Sequence, residues 1–127
     1  MRVLAIASSI LYIATSALAA QPTSDFCAFE TPIENEELVA GTDFLIKWTN
    51  SGKYTGKVKI DLMAGKDANS LTEAGLVNSN YDVDALSLTW PVWTSLGTEP
   101  MYGFLCTLEE NEDIFQWSKP FTIKKSS

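Results

Sequence analysis

The stretch KVKIDLMA at residues 57–64 decides the fold class, because its side chains alternate in character along the chain. Val58, Ile60, Leu62 and Ala64 fall on one face of an extended segment, and Lys57, Lys59 and Asp61 fall on the other. A period of two indicates a β-strand that is buried on one face and solvated on the other. That arrangement is typical of an antiparallel sheet, so we expect the polar set, Asp61 included, to face water.

The same alternation recurs in both directions from this strand. It is clear in FLIKWT (44–49) and YGFLCTL (102–108), where Trp48 and Phe104 are the expected core residues. Shorter extended segments are predicted at 86–90, 114–117 and 121–124. Residues 71–77 fit one helical turn or an irregular edge, and both interpretations stay open. About seven short strands, with turn signals roughly every 8–12 residues and no amphipathic helix, predict an all-β, antiparallel β-sandwich.

The first twenty residues have the features of an export signal. Arg2 forms a positive start, residues 3–18 are mostly apolar or small, and Ala17-Leu18-Ala19 supplies a small-x-small cleavage pattern. A membrane-spanning helix is the competing interpretation, but a span needs about 20 apolar residues, and this shorter run is interrupted by Ser and Thr. We therefore predict a signal peptide at 1–20 that is removed, one β-sandwich domain at 21–127, and a secreted, extracellular or cell-wall-associated product.

Charge and composition exclude several classes of function. The 127-residue chain carries a formal net charge of −7, which argues against nucleic acid or anionic lipid as a partner. Histidine is absent, which excludes Ser-His-Asp and Cys-His catalysis and removes the commonest zinc ligand. We therefore expect no catalytic residue, no metal and no cofactor.

The two cysteines, Cys27 and Cys106, are expected to form a disulfide. An exported chain with two cysteines has one possible bridge, and the wide spacing is unlike the CxxC motif of a redox pair. Since Cys27 precedes the first clear strand, the bridge should join the N-terminal segment to a late strand.

Acidic clusters give only weak functional signals. The turn EENED at 109–113 is interpreted as a solvated hairpin tip, and the alternative is a weak Ca²⁺ site without EF-hand spacing. A glycosidase needs two carboxylates in a cleft, but among sixteen acidic residues some pair meets any such criterion by chance. A small glycan-active enzyme is thus the least favoured alternative.

Aromatic residues near strand ends are the candidate binding surface. The set for a carbohydrate or partner surface is Trp90, Trp93, Trp117 and Tyr81. An exposed indole can stack on a sugar ring while nearby polar groups bind the hydroxyls. Packing in the core or at its edge is the alternative for each of these side chains.

One family shares the motifs of this chain. They are a glycine leading into a strand that ends in Trp, a second strand, a Trp-Pro pair, a Tyr that opens a strand, and a terminal Phe-x-Ile. They occur in GTDFLIKWT (41–49), VKIDL (58–62), Trp90-Pro91, Tyr102 and PFTI (120–123). The pattern resembles the fungal Ser/Thr-rich glycosylphosphatidylinositol-anchored membrane protein family, whose domain also forms the N-terminal part of yeast proteins for cell-wall β-1,6-glucan synthesis. The similarity covers about residues 32–124.

This resemblance implies an immunoglobulin-like sandwich at the fungal cell surface and brings no catalytic motif. Members typically continue into a Ser/Thr-rich stalk and an anchor signal, whereas this sequence ends at KKSS (124–127) without an apolar tail. We therefore expect a mature form without a membrane span or lipid anchor, which binds wall glucan or wall proteins. The alternative is a secreted effector-like domain that binds a host protein.

Overall fold

The computed structural model describes residues 21–126, so the predicted signal peptide lies outside the described residues. Within that range the chain forms nine strands and one short 3-10 helix (Val83–Ala85). The strands are β1 (Ala28–Thr31), β2 (Glu37–Val39), β3 (Asp43–Thr49), β4 (Lys57–Gly65), β5 (Thr72–Asp82), β6 (Ser87–Pro91), β7 (Met101–Leu108), β8 (Phe115–Trp117) and β9 (Thr122–Lys124).

These strands form a four-stranded sheet, a three-stranded sheet and a small pair. The four-stranded sheet has the order β5-β4-β7-β8, and the three-stranded sheet has the order β1-β3-β6. Both are antiparallel throughout, which confirms the predicted class. The pair β2-β9 is parallel, a pairing that was not predicted; β9 falls in the predicted segment 121–124, whereas β2 is an additional strand.

The core lies between the inner faces of the two larger sheets. On β4 the predicted inward set is buried, and it pairs with β7 so that Ile60 lies opposite Cys106 and Leu62 opposite Phe104. Phe104 is fully buried and contacts Phe29 of β1 and Trp90 of β6, with ring centroids 6.2 and 5.3 Å apart. Aromatic packing therefore joins the two sheets.

Asp61 does not face water as the alternation predicts, because only 6% of its surface is exposed. It lies on the outer face of a central strand, opposite Leu105 of β7 on one side and Leu76 of β5 on the other. The neighbouring strands cover it, so the solvated face predicted from the pattern contains a buried carboxyl group.

Strand β5 settles the question left open at residues 71–77. From residue 72 onward the segment belongs to the eleven-residue edge strand β5, so the irregular-edge alternative is confirmed and the helical turn is wrong. Three register shifts interrupt its pairing with β4. Such irregularities break the alternation of side chains, so the strand carries no clear period of two.

The disulfide between Cys27 and Cys106 is confirmed. The two Cα atoms are 6.7 Å apart, the residues are separated by 79 positions, and both are fully buried. Cys27 lies just before β1 of the three-stranded sheet and Cys106 lies in β7 of the other. The bridge therefore ties the N-terminal segment to a late strand across the core.

Two buried tryptophans differ in hydrogen bonding, and this difference predicts different costs of substitution. The indole N–H of Trp48 donates to the Val83 carbonyl at 2.7 Å, whereas within residues 21–126 the indole N–H of Trp90 has no partner. Trp48→Phe is expected to cost about 1–3 kcal/mol more in unfolding free energy than Trp90→Phe, because it removes the donor from Val83. Urea unfolding followed by far-ultraviolet circular dichroism measures both. An equal or larger cost for Trp90→Phe would contradict this.

Candidate functional site on the outer face of the four-stranded sheet

A depression of about 430 Å³ lies on the outer face of the four-stranded sheet. Strand register brings its residues together: Leu105 lies opposite both Asp61 and Trp117, and Thr107 lies opposite both Lys59 and Phe115. The lining consists of Lys59, Asp61, Glu73, Leu105, Thr107, Glu112, Phe115 and Trp117. All four strands of the sheet, together with the turn before β8, contribute to it.

The aromatic side of the depression is built on β8. Phe115 and Trp117 are two positions apart, so they project from the same face of the strand, and both are partly buried. The following residue holds the strand in place: the Ser118 N–H donates to the Phe104 carbonyl, and Ser118 Oγ accepts from the Phe104 N–H, both at 2.9 Å.

The N-terminal segment covers the free edge of β8. The Thr23 N–H donates to the Phe115 carbonyl at 2.8 Å, and Thr23 Oγ1 accepts from the Phe115 N–H at 3.3 Å. The Gln116 side-chain amide donates to the Thr23 carbonyl at 3.0 Å. A three-residue edge strand is thereby fixed on both sides, and Phe115 and Trp117 are held on a rigid element.

The opposite side of the depression carries two carboxyl groups that share a hydrogen bond. Desolvation raises the pKa of Glu73, and so do its hydrogen bond to Asp61 and the negative charge of Asp61, while Lys59 opposes the shift. Glu73 therefore keeps its proton to a higher pH than an ordinary glutamate does. In its protonated form Glu73 can donate a hydrogen bond, and in its ionised form it accepts them.

Trp90 is not part of an exposed surface, so the structure shows the core-packing alternative for this residue. Its side chain is 2% exposed, because it lies on the inner face of β6 and packs against Phe104. The strand register explains why the Trp90 side chain points into the core. Trp90 lies opposite Phe44 of β3, which is also packed against the core.

Trp93 and Tyr81 are partly buried and pack against the core. The Trp93 ring lies 5.4 Å from that of Trp90, and a β-carbon on Gly75 would come within 2.8 Å of its Cζ3 atom. The Tyr81 hydroxyl donates to the Ser87 carbonyl at 2.7 Å, and its ring lies 6.1 Å from that of Trp48. Neither residue lines the depression, so Trp117 alone of the predicted set does.

The acidic turn at 109–113 is exposed, and it contributes Glu112 to the depression. Glu109 in this turn accepts a hydrogen bond from the Asn80 N–H of β5. Among residues 21–126, no three His, Cys, Asp or Glu side chains form a group that could hold a metal ion. No helix in the same range is long and apolar enough to cross a membrane.

Asp61, Glu73 and Phe115 are the site residues that sequence reasoning missed. Asp61 was interpreted only as an outward, solvated position of a predicted strand, and Phe115 lies in the predicted segment 114–117, whose residues other than Trp117 were given no role. The signal that could have found them is the combination of that outward pattern with the pairing of β4, β7 and β8. Glu73 lies in the irregular strand β5, for which no pattern is visible.

The architecture and the disulfide define an immunoglobulin-like β-sandwich domain. Consistent with this, residues 31–123 match the family model of the Kre9/KNH-like N-terminal Ig-like domain, so the chain belongs to that family. Neither the curated proteins nor the solved structures give a significant match. The family is linked to cell-wall glucan synthesis and is cell-wall associated in yeast, which confirms the resemblance given above.

Proposed function

We propose that this chain is a secreted, non-catalytic module that binds neutral β-glucan of the cell wall through the outer-face depression. The observation that carries the proposal is the placement of Trp117 and Phe115 beside the carboxyl groups of Asp61 and Glu73 in one depression. The family's link to cell-wall glucan supports the class of ligand.

This combination of groups suits a neutral sugar. The apolar face of a hexose ring packs on an aromatic ring, and carboxyl oxygens accept hydrogen bonds from its hydroxyls. The depression contains three acidic side chains, Asp61, Glu73 and Glu112, against Lys59 alone. Anionic polymers are therefore disfavoured by charge.

The geometry of the carboxyl pair supports binding over hydrolysis. Retaining and inverting glycosidases hold their two carboxyl groups roughly 5–10 Å apart, so that the sugar or a water fits between them. Glu73, whose pKa is raised by desolvation, also hydrogen-bonds to Asp61, so the two carboxyl groups interact directly. The Ig-like domain of this family is also not a known catalytic fold.

The exposed apolar residues give less support to a protein-binding role. Five large apolar side chains in the described range are exposed, and they lie on separate elements: Ile33, Val39, Leu45, Leu76 and Leu86. Leu45 lies on the three-stranded sheet and Leu76 on the four-stranded sheet. A docking surface for a protein is expected to be one contiguous patch instead.

Glucan binding is tested with the purified domain and a tryptophan variant. The protein should be retained by insoluble β-glucan, and Trp117→Ala should weaken this binding at least about tenfold, equivalent to about 1.4 kcal/mol. The loss is expected because the variant removes the stacking surface. The measurement is a depletion isotherm on insoluble β-glucan, with chitin run in parallel.

Leu45→Ala is the matched control. It removes a 48% exposed apolar side chain from the other sheet and should leave the isotherm unchanged. No retention on glucan or chitin above background would refute the polysaccharide proposal. Equal binding by Trp117→Ala and the native protein would refute this site.

A further inference from the structure

A second depression lies next to the first. It measures about 500 Å³ and is formed where the β4–β5 turn faces the loop at 94–100. Its polar lining includes Lys66, Thr72, Glu73, Thr98 and Glu99. Both depressions fall within the range of roughly 300–1,000 Å³ that is usual for ligand sites.

The loop that forms one wall of the second depression is fixed by hydrogen bonds. The backbone N–H groups of Gly97 and Glu99 donate to the Tyr102 hydroxyl oxygen at 3.0 and 3.3 Å. Gly97 also lies against the backbone of Lys125, where a β-carbon would come within 2.8 Å of the Lys125 nitrogen. The wall is therefore preformed, and binding would require little ordering of the loop.

Glu73 lines both depressions, so the two are contiguous at this residue. They also follow each other along β4, since Lys59 and Asp61 line the first, and Ala64 and Gly65 at the end of the strand line the second. At about 3.3 Å per residue, the distance along the strand from position 59 to position 65 is about 20 Å. This is much longer than a single sugar ring.

We propose that the two depressions form one extended site, which takes an internal segment of a linear, neutral glucan chain. Both depressions are open at the surface, which suits a chain that continues beyond the site at each end. Trp117 would stack on one sugar ring, and Lys66 and Glu99 would bind hydroxyl groups several units away. This inference rests on the proposed function and adds the length and form of the ligand.

Dependence on chain length tests the extended site. Isothermal titration is carried out with linear β-1,3- and β-1,6-linked gluco-oligosaccharides, from the disaccharide to the hexasaccharide. For the linkage that binds, the hexasaccharide should bind at least about tenfold more tightly than the disaccharide, because only the longer chain reaches both depressions.

Two substitutions test whether the gain in affinity with chain length comes from the second depression. Lys66→Ala combined with Glu99→Ala should bring the ratio of hexasaccharide to disaccharide affinity close to one. Both side chains are exposed, so the unfolding midpoint should not change. Trp117→Ala should weaken binding of every length, and Leu45→Ala should change none.

Four outcomes decide between the proposals. If the disaccharide and the hexasaccharide bind equally, or if the double variant keeps the gain with length, the extended site is wrong although glucan binding stands. If no oligosaccharide and no insoluble glucan binds, the proposed function itself fails. Tight binding that requires a free chain end would also overturn the extended site.

Discussion

Replacing Phe104 with alanine is expected to lower the free energy of unfolding by about 3–5 kcal/mol. Phe104 is fully buried, and its ring packs against three others, Phe29, Trp90 and Phe121, with centroids 4.9–6.2 Å apart. Alanine would remove this contact area and leave a cavity between two sheets that collapse only partly. A domain of this size is typically stable by about 5–15 kcal/mol, so the loss is a large fraction of the total.

Phe115→Ala is the matched control, since it removes the same side chain from the opposite face of the same sheet. Phe115 is partly exposed, so its removal should cost less than the roughly 1.5–3 kcal/mol of a fully buried side chain. Urea unfolding of the oxidised protein, followed by circular dichroism, compares the two variants. Equal losses would show that the contacts around Phe104 do not dominate the core.

The long strands could be predicted because one face of each lies on the core. In β4 and β7 every second residue, from Val58 to Ala64 and from Tyr102 to Leu108, is apolar and buried, which gives a period of two. Trp48 and Phe104 were correctly placed in the core for this reason. A pattern within one strand, however, does not say which strand is its neighbour.

The strands that sequence reasoning missed or left open are short or lie at an edge. In β2 only Leu38 is buried, and one residue gives no period. Its parallel partner β9 pairs Leu38 with Ile123, and nothing in the local sequence records so distant a contact. In β5 the bulged pairing with β4 and the exposed edge hide the alternation.

The candidate site was only partly predictable because exposure depends on the packing of the two sheets. Trp90 and Trp117 both lie in short strands with alternating patterns, yet Trp90 points into the core and Trp117 lines the outer depression. The deciding fact is the register, which places Trp117 opposite Leu105 and Trp90 opposite Phe44. Asp61 was missed for a related reason, since neighbouring strands bury it on an outward face.

Reduction of the Cys27–Cys106 bridge is expected to lower the free energy of unfolding by about 2–5 kcal/mol. The bridge spans 79 residues and restricts the unfolded chain over most of the described domain. Loop-closure entropy grows with loop length, so a bridge of this span should have an effect near the upper end of the range. Urea unfolding with and without a thiol reductant measures the change in midpoint.

The slope of the unfolding free energy against urea concentration separates restriction of the unfolded chain by the disulfide from a loss of contacts in the native protein. An unfolded chain without the bridge is more expanded, so the slope of free energy against urea should be steeper for the reduced protein. The variant Cys27→Ala/Cys106→Ala should also be destabilised, and the reductant should have no effect on it. Because both cysteines are fully buried, the variant includes a packing cost that reduction of the native protein does not. Identical midpoints for the oxidised and reduced native protein would show that the core alone holds the two sheets together.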